Sequence, residues 1–214
     1  MAVSTPSSPN LDQQIRHSLD RPPAVTAPRT GRLIVFTGPS GVGKGTLLRA
    51  LRDRYPALQL STSATTRNPR PGEVDGKDYY FVSRERFQAM VENDDLLEWA
   101  EFAGNYYGTP KTAVQQNLDQ GQWLILEIEL EGARQVRDTF PQALQLFVLP
   151  PSLEELEQRI RQRGKDSEAA ILRRMARAQV EIDAAPEFDV QIVNDDLEVA
   201  LQQLETAIFD TLDT

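Results

Sequence analysis

The sequence predicts an α/β fold, a parallel sheet flanked by helices with an inserted mixed α/β subdomain. Three observations carry this. From Gly31 onward, short apolar runs alternate with helical patterns, as expected of parallel strands joined by crossover helices. The first run, Leu33-Ile34-Val35-Phe36-Thr37, is continuously apolar rather than alternating, which suits a strand buried on both faces, and a glycine loop follows it. A Thr/Tyr/Gly-rich stretch over residues 61–109 interrupts the rhythm and reads as an insertion.

The elements follow in order. Residues 1–30 hold five of the 14 prolines (Pro6, Pro9, Pro22, Pro23 and Pro28) and few large apolar side chains. Such a segment buries too little surface to offset its ordering entropy, so a flexible leader is expected. It lacks the apolar region of a secretory signal, and Asp12 and Asp20 argue against a transit peptide. After the first strand, Thr46 to Tyr55 reads as a helix with Leu47, Leu48 and Leu51 on one face, stopped by Pro56. Residues 60–82 read as strands and turns. Ser83 caps a helix to Glu92, and Leu96 to Pro110 carries aromatic strand signals broken by Gly104 and Gly108. Pro110 to Gln120 is helical, with proline near its start. Trp123 to Ile128 is a strand, followed by a helix through Val136. Leu144 to Leu149 is a strand ended by Pro150-Pro151. Ser152-Leu153-Glu154-Glu155 is a capping box that opens a helix to Arg163, ended by Gly164. Ser167 to about Asp183 is a helix, Val190 to Val193 the last strand, and Leu197 to Phe209 an amphipathic closing helix.

Composition narrows the chemistry. The chain of 214 residues suffices for one domain with a substantial core. There is no cysteine, which removes disulfides, thiolate nucleophiles and thiolate metal sites. The one histidine, His17, lies in the leader, so histidine triads and multi-histidine metal sites are excluded. The net charge of -9 argues against a nucleic-acid binder, and no apolar run approaches the roughly 18 residues of a membrane span. What remains is Lys, Arg, Asp, Glu, Ser, Thr, Tyr, backbone amides and a hard cation.

Gly38-Pro39-Ser40-Gly41-Val42-Gly43-Lys44 fits G-x-x-x-x-G-K between a strand and a helix, the context that gives this motif its meaning. Glycines let successive N–H groups turn inward on phosphate oxygens, the helix N-terminus adds its dipole, and Lys44 supplies a mobile cation. Chance would produce roughly 0.01 such matches in a chain of this composition, so a plain glycine turn is the weaker reading. The residue after Lys44 is Gly45, where Ser or Thr usually meets Mg²⁺, and Thr46 follows. Either Thr46 takes that role or neither hydroxyl does.

A second cluster lies in the insertion. Ser63-Ala64-Thr65-Thr66-Arg67-Asn68-Pro69-Arg70-Pro71-Gly72-Glu73 sets two arginines three residues apart between rigid turns, and Tyr79 follows. This suits two guanidinium forks on one phosphate, and equally a solvated basic loop. Leu97-Glu98-Trp99 through Tyr106-Tyr107-Gly108-Thr109 places a carboxylate among aromatics. Beside an apolar slot, Glu98 could accept from guanine N1–H and the exocyclic amine together, a pair adenine cannot offer. The alternative is a surface Glu98 beside core aromatics.

These strings together resemble the guanylate kinases. The match runs over about residues 31–210 through Gly38–Lys44, Ser63–Tyr79, Glu98–Thr109, Arg159–Arg174 and Ile192-Val193-Asn194-Asp195-Asp196. The resemblance implies a P-loop NTPase-type sheet, a GMP-binding insertion at about 61–112, a helical lid at about 157–183, and γ-phosphoryl transfer from ATP to GMP, with dGMP as a further acceptor. It assigns Gly38, Pro39, Ser40, Gly41, Val42, Gly43, Lys44, Gly45, Thr46 and Asn194 to ATP, Asn194 beside the adenine. Arg67, Arg70, Tyr79 and Tyr107 fall to the GMP phosphate, with Glu73 orienting the arginines. Ser63 and Thr109 serve guanine O6, and Glu98 serves the N1/N2 edge. Lys44 and the lid arginines Arg159, Arg163 and Arg174 are the implied catalytic groups, though Glu155 and Arg159 are also spaced as a simple surface ion pair. The family's usual Asp-x-Asp is Glu127-Ile128-Glu129 here, one methylene longer at each end. Thr46 and Glu127 are the implied Mg²⁺ contacts, and Glu127 and Glu129 also face GMP. A cytoplasmic monomer or weak homodimer is expected. Two rivals remain: a scaffold-type binding module, against which the intact Gly43-Lys44 speaks, and a kinase for another nucleotide, against which Glu98 speaks.

Overall fold

The computed structural model describes residues 31–102, 104–162 and 167–210. The expectations for the leader, for Arg163 and for Gly164 lie outside the described residues. In chain order the elements are β1 (Arg32–Thr37), α1 (Lys44–Arg54), β2 (Leu58–Leu60), β3 (Ala64–Thr65), β4 (Tyr80–Phe81), α2 (Arg84–Glu92), β5 (Leu96–Phe102), β6 (Asn105–Pro110), α3 (Lys111–Asp119), β7 (Trp123–Glu127), α4 (Leu130–Thr139), β8 (Leu144–Leu149), α5 (Leu153–Gln162), α6 (Glu168–Asp183), a 3₁₀ turn (Ala185–Glu187), β9 (Val190–Val193) and α7 (Leu197–Phe209).

Five strands form a parallel sheet in the order β2-β7-β1-β8-β9. Its central strand β1 shows why a continuous apolar run was needed. Ile34 and Phe36 enter one core with Leu47, Leu48 and Leu51 of α1, Leu156 of α5, and Leu201 and Leu204 of α7. Leu33 and Val35 enter a second core on the opposite face, with Val114 of α3 and Leu130, Ala133 and Val136 of α4. Alternate side chains therefore serve opposite cores, and both faces are covered. β2 was not anticipated as a strand; three residues after Pro56 carry too little pattern, and pairing with β7 decides them.

A second sheet, β4-β3-β6-β5, is mixed: β3 pairs parallel to β4 and antiparallel to β6, and β6 pairs antiparallel to β5. It has its own small core of Ala64, Phe87, Met90 and Leu96. The β5–β6 register shifts between Leu96 and Trp99, a bulge that brackets Glu98.

The caps read from sequence are present. Ser83 Oγ accepts from Arg86 N–H and Ser152 Oγ from Glu155 N–H at 3.1 Å; Ser167, expected as the first residue of a helix, is instead its cap, Oγ accepting from Ala170 N–H. One boundary moves. The helix expected from Thr46 begins at Lys44, because Gly43 takes φ 101° and its carbonyl accepts from Thr46 and Leu47 N–H. That places Lys44 in the first helical turn. No helix among the described residues is long and apolar enough to cross a membrane.

Candidate active site

The C-terminal ends of parallel strands are where open α/β sheets bind ligands, and the main cleft opens there. It has a volume of about 650 Å³. Ser40, Gly41, Gly43, Lys44, Gly45 and Thr46 line one part; Ser63, Tyr79, Glu98 and Tyr107 of the insertion line another; Glu127, at the end of β7, and Glu129, at the start of α4, line it as well. Three stretches far apart in sequence thus meet in one cavity.

At the loop, Gly38, Gly41 and Gly43 have φ of 143°, 96° and 101°, which side-chain-bearing residues rarely adopt. A Cβ on Gly38 would stand 2.4 Å from the Val148 carbonyl oxygen, so strand β8 presses on the loop directly. Lys44 Nζ donates to the carbonyls of Gly38 at 2.6 Å and Pro39 at 3.2 Å, spanning the loop it serves. Val42 turns its side chain fully into the core and contributes only backbone. A Cβ on Gly45 meets nothing within 4 Å.

Glu98 is 5% exposed and lies on the bulge of β5. Thr109 Oγ1 donates to its Oε1 at 2.6 Å. Burial pushes its carboxyl up to about 7, while the Thr109 hydrogen bonds pull the other way. The surface alternative for Glu98 is thereby excluded. Gln135 and Thr139 of α4 hold the flanking strand: the Gln135 amide pairs with both the N–H and the carbonyl of Trp99, at 3.0 and 2.9 Å, and Thr139 Oγ1 donates to the Leu97 carbonyl at 3.1 Å. Glu127 is raised too, burial first and Glu129 adding to it, with Lys44 opposing.

Arg67 packs beside the cleft against the ring of Tyr79, which lines it. Arg67 forms a fork with Glu73 at 2.8 and 3.0 Å, and its guanidinium lies 5.4 Å from the Tyr79 ring centroid. Glu73 also accepts from Arg70 N–H at 2.6 Å, and these bonds hold its carboxyl below the usual range. The expected orienting role of Glu73 has this geometry behind it.

Arg174 and Arg159, expected to belong to a lid, make different contacts. Arg174 Nη2 donates to Ser40 Oγ at 2.8 Å, on the phosphate loop. Arg159 makes the anticipated pair with Glu155 at 3.0 Å, but its Nη1 also donates to the Asn194 carbonyl at 3.0 Å. Asn194 Nδ2 in turn donates to the Val42 carbonyl at 2.8 Å. Arg159 and Asn194 therefore brace the underside of the loop and do not line the cleft.

Sequence reasoning missed Arg49, Ala100, Phe102 and Gly132 in the cleft wall, and Gln135 behind it. Gly132 carried a signal: it interrupts a helical pattern at a cost of about 1 kcal/mol relative to Ala. A Cβ there would lie 2.7 Å from Glu98 Oε2, so α4 requires a glycine where it passes the carboxylate.

Comparison with known proteins agrees with this geometry. The sequence model of the guanylate kinase family matches residues 30–211. Guanylate kinase of Thermosynechococcus vestitus is 68% identical over 182 residues, covering 85% of this chain and 95% of that protein. That of Nostoc sp. is 62% identical over 182 residues, covering 85% and 92%. The crystal structure of guanylate kinase from Anaplasma phagocytophilum superposes with a TM-score of 0.66 at 31% identity, covering 88% of this chain and 89% of that one. With a phosphate loop and a buried carboxylate facing one cleft, and relatives this similar along nearly their whole length, the chain belongs to the guanylate kinase family.

Proposed function

We propose that this chain transfers the γ-phosphoryl group of ATP to GMP, giving ADP and GDP, with dGMP as a second acceptor and Mg²⁺ as the metal. The observation that carries the reading is the single cleft shared by Lys44 of the phosphate loop and the buried Glu98 of the insertion.

Each end of the cleft does a different task. The loop N–H groups and the start of α1 hold the ATP phosphates. Lys44, Arg174 and Arg163 offset charge on the transferring group, and Arg159 and Asn194 keep the loop in shape from below. Tyr79, Tyr107, Arg67 and Arg70 receive the GMP phosphate, the Arg67 guanidinium held ready by Glu73, which also fixes the Arg70 backbone. The Glu98 carboxylate accepts from guanine N1–H and N2–H₂, and Ser63 serves O6. Thr109 acts through Glu98, since its proton is already given to Oε1. The acceptor is itself an anionic phosphate, so no histidine base is needed, and catalysis rests on positioning and charge neutralisation. Closure of α5 and α6 over the insertion excludes water, the competing acceptor.

The donor set suits a metal shared with phosphates: Thr46 and the Glu127 carboxylate line the cleft beside the loop, and Mg²⁺ ordinarily needs one or two carboxylates plus phosphate oxygens and water. Thr46 and Glu127 would hold the metal, and Mg²⁺ would supply charge neutralisation for the phosphates. A coupled ADP-release assay over GMP, dGMP, AMP, CMP and UMP, with and without EDTA, tests the assignment. Turnover of GMP and dGMP alone, lost with EDTA, is expected; comparable turnover of AMP would overturn it. The same reading places the enzyme in the cytoplasm as a monomer or weak homodimer, which sedimentation at micromolar concentration checks.

A further inference from the structure

We propose that Arg177 is a positioning residue for the acceptor end of the cleft, fixing the Glu129 carboxylate to α6. Arg177 Nη2 donates to Glu129 Oε2 at 2.8 Å. Glu129 sits at the N-cap of α4 with the extended φ and ψ of a capping residue, -80° and 165°, yet its side chain makes no capping bond. An acidic N-cap ordinarily turns inward to accept a helix N–H; here the carboxylate is diverted across the cleft wall to another helix.

Arg177 is itself pre-aimed. Its Nε donates to Glu181 Oε1 at 2.8 Å, and Glu181 is 5% exposed. A carboxylate so buried needs a partner, so the guanidinium is held against α6 with its outer fork free to reach Glu129. Three residues earlier on the same helix, Arg174 touches Ser40 of the phosphate loop. One helix thus contacts the donor end through Arg174 and the acceptor-side carboxylate through Arg177. The Arg177 and Glu129 side chains are each about half exposed, at 54% and 51%. Such a pair adds little stability, which points to orientation as its use. The length of Glu129 matters as well: an aspartate would be shorter by one methylene, roughly 1.5 Å, and would not span the contact.

This inference rests on the GMP kinase reading, and its test separates the two. Initial rates with GMP and ATP are measured for the wild type, Arg177→Ala, Arg177→Lys, Glu129→Asp, Glu129→Gln and the double variant Arg177→Ala/Glu129→Gln. Arg177→Ala should raise the KM for GMP roughly three- to tenfold with the ATP KM within about twofold, and Arg177→Lys should recover part of the loss. Glu129→Asp and Glu129→Gln should reproduce the effect while leaving the Arg177–Glu181 bond intact, so the contact is still read if Arg177→Ala folds poorly. The double variant should be no worse than the worse single one, the mark of a shared interaction. An unchanged GMP KM in both Glu129 variants, parallel rises in both substrates' KM, or multiplying effects in the double variant would each overturn the proposal. A wild type that does not phosphorylate GMP would instead sink the activity reading itself.

Discussion

Lys44 and Glu98 do opposite kinds of work, and substitutions should separate them. Lys44 bonds to its own loop and stands at the start of α1. Lys44→Ala should cut kcat by roughly 10²–10³, the usual loss when one charge-stabilising donor is removed, with the fold retained by circular dichroism. Glu98 should govern acceptor affinity and its pH dependence. Its carboxyl titrates at about 7, and guanine needs the ionised form. The KM for GMP should therefore climb as pH falls from 8 to 6. GMP's own phosphate titrates in that window, but this appears equally in Glu98→Gln and cancels in the ratio of the two profiles. Glu98→Gln should raise the GMP KM on the order of tenfold or more, from a bidentate contact of about 1–3 kcal/mol plus a donor left unpaired. Stability should move the other way. A carboxyl raised from 4.5 in the unfolded chain to about 7 in the fold stabilises fully only below pH 4.5, and that contribution is lost as pH rises through 7. Glu98→Gln removes the buried charge, so its Tm advantage over wild type should be larger at pH 8 than at pH 5.

At the scale of elements, α4 links the two sheets, and Gly132 is its critical position. Its first turns pack under β1 through Ala133 and Val136, while Gln135 and Thr139 grip β5 on either side of Glu98. Gly132→Ala would raise helix propensity by about 1 kcal/mol. The new Cβ would nonetheless lie 2.7 Å from Glu98 Oε2, which the bond to Thr109 keeps from moving aside. The expected result is a higher KM for GMP with little change in the ATP KM, measured by initial rates. Unchanged GMP kinetics would show that Glu98 can shift without cost. The caps at Ser83 and Ser152 were legible because the capping hydroxyl oxygen and the N–H that donates to it lie within three residues of each other. The contacts of Gln135 with Trp99, 36 residues apart, leave no such local trace.

For the whole molecule, the proposed function gives the phosphate end to the parallel sheet and the base-reading end to the smaller mixed sheet, so ligand effects should be separable. Near 100-fold excess over its Kd, either nucleotide should stabilise by about 2.7 kcal/mol, a shift of roughly 5–11 °C for a domain this size. Glu98→Gln should abolish most of the GMP shift in thermal denaturation and keep the ATP shift. Loss of both would mean that the two ends do not act as separate sites.

The sequence by itself determined the strand–helix alternation and the phosphate loop, because these rest on short-range rules, whereas the acceptor roles in the insertion were only implied by the family resemblance. Continuous apolar runs mark doubly buried strands, glycines mark backbone that must turn, and a capping serine marks a helix start. Tertiary structure alone decided which charged groups meet. Glu129 could have faced either substrate or a metal; packing of α6 against the cleft brings Arg177 to it. The approach of β9 and α5 to the loop turns Arg159 and Asn194 onto the Val42 carbonyl, and Arg159 also onto the Asn194 carbonyl. Glu98 could have been a surface carboxylate; the β5 bulge and Gly132 bury it. A side chain's partners depend on where distant segments pack, and burial sets the strength of their interaction, so neither can be read from neighbouring letters.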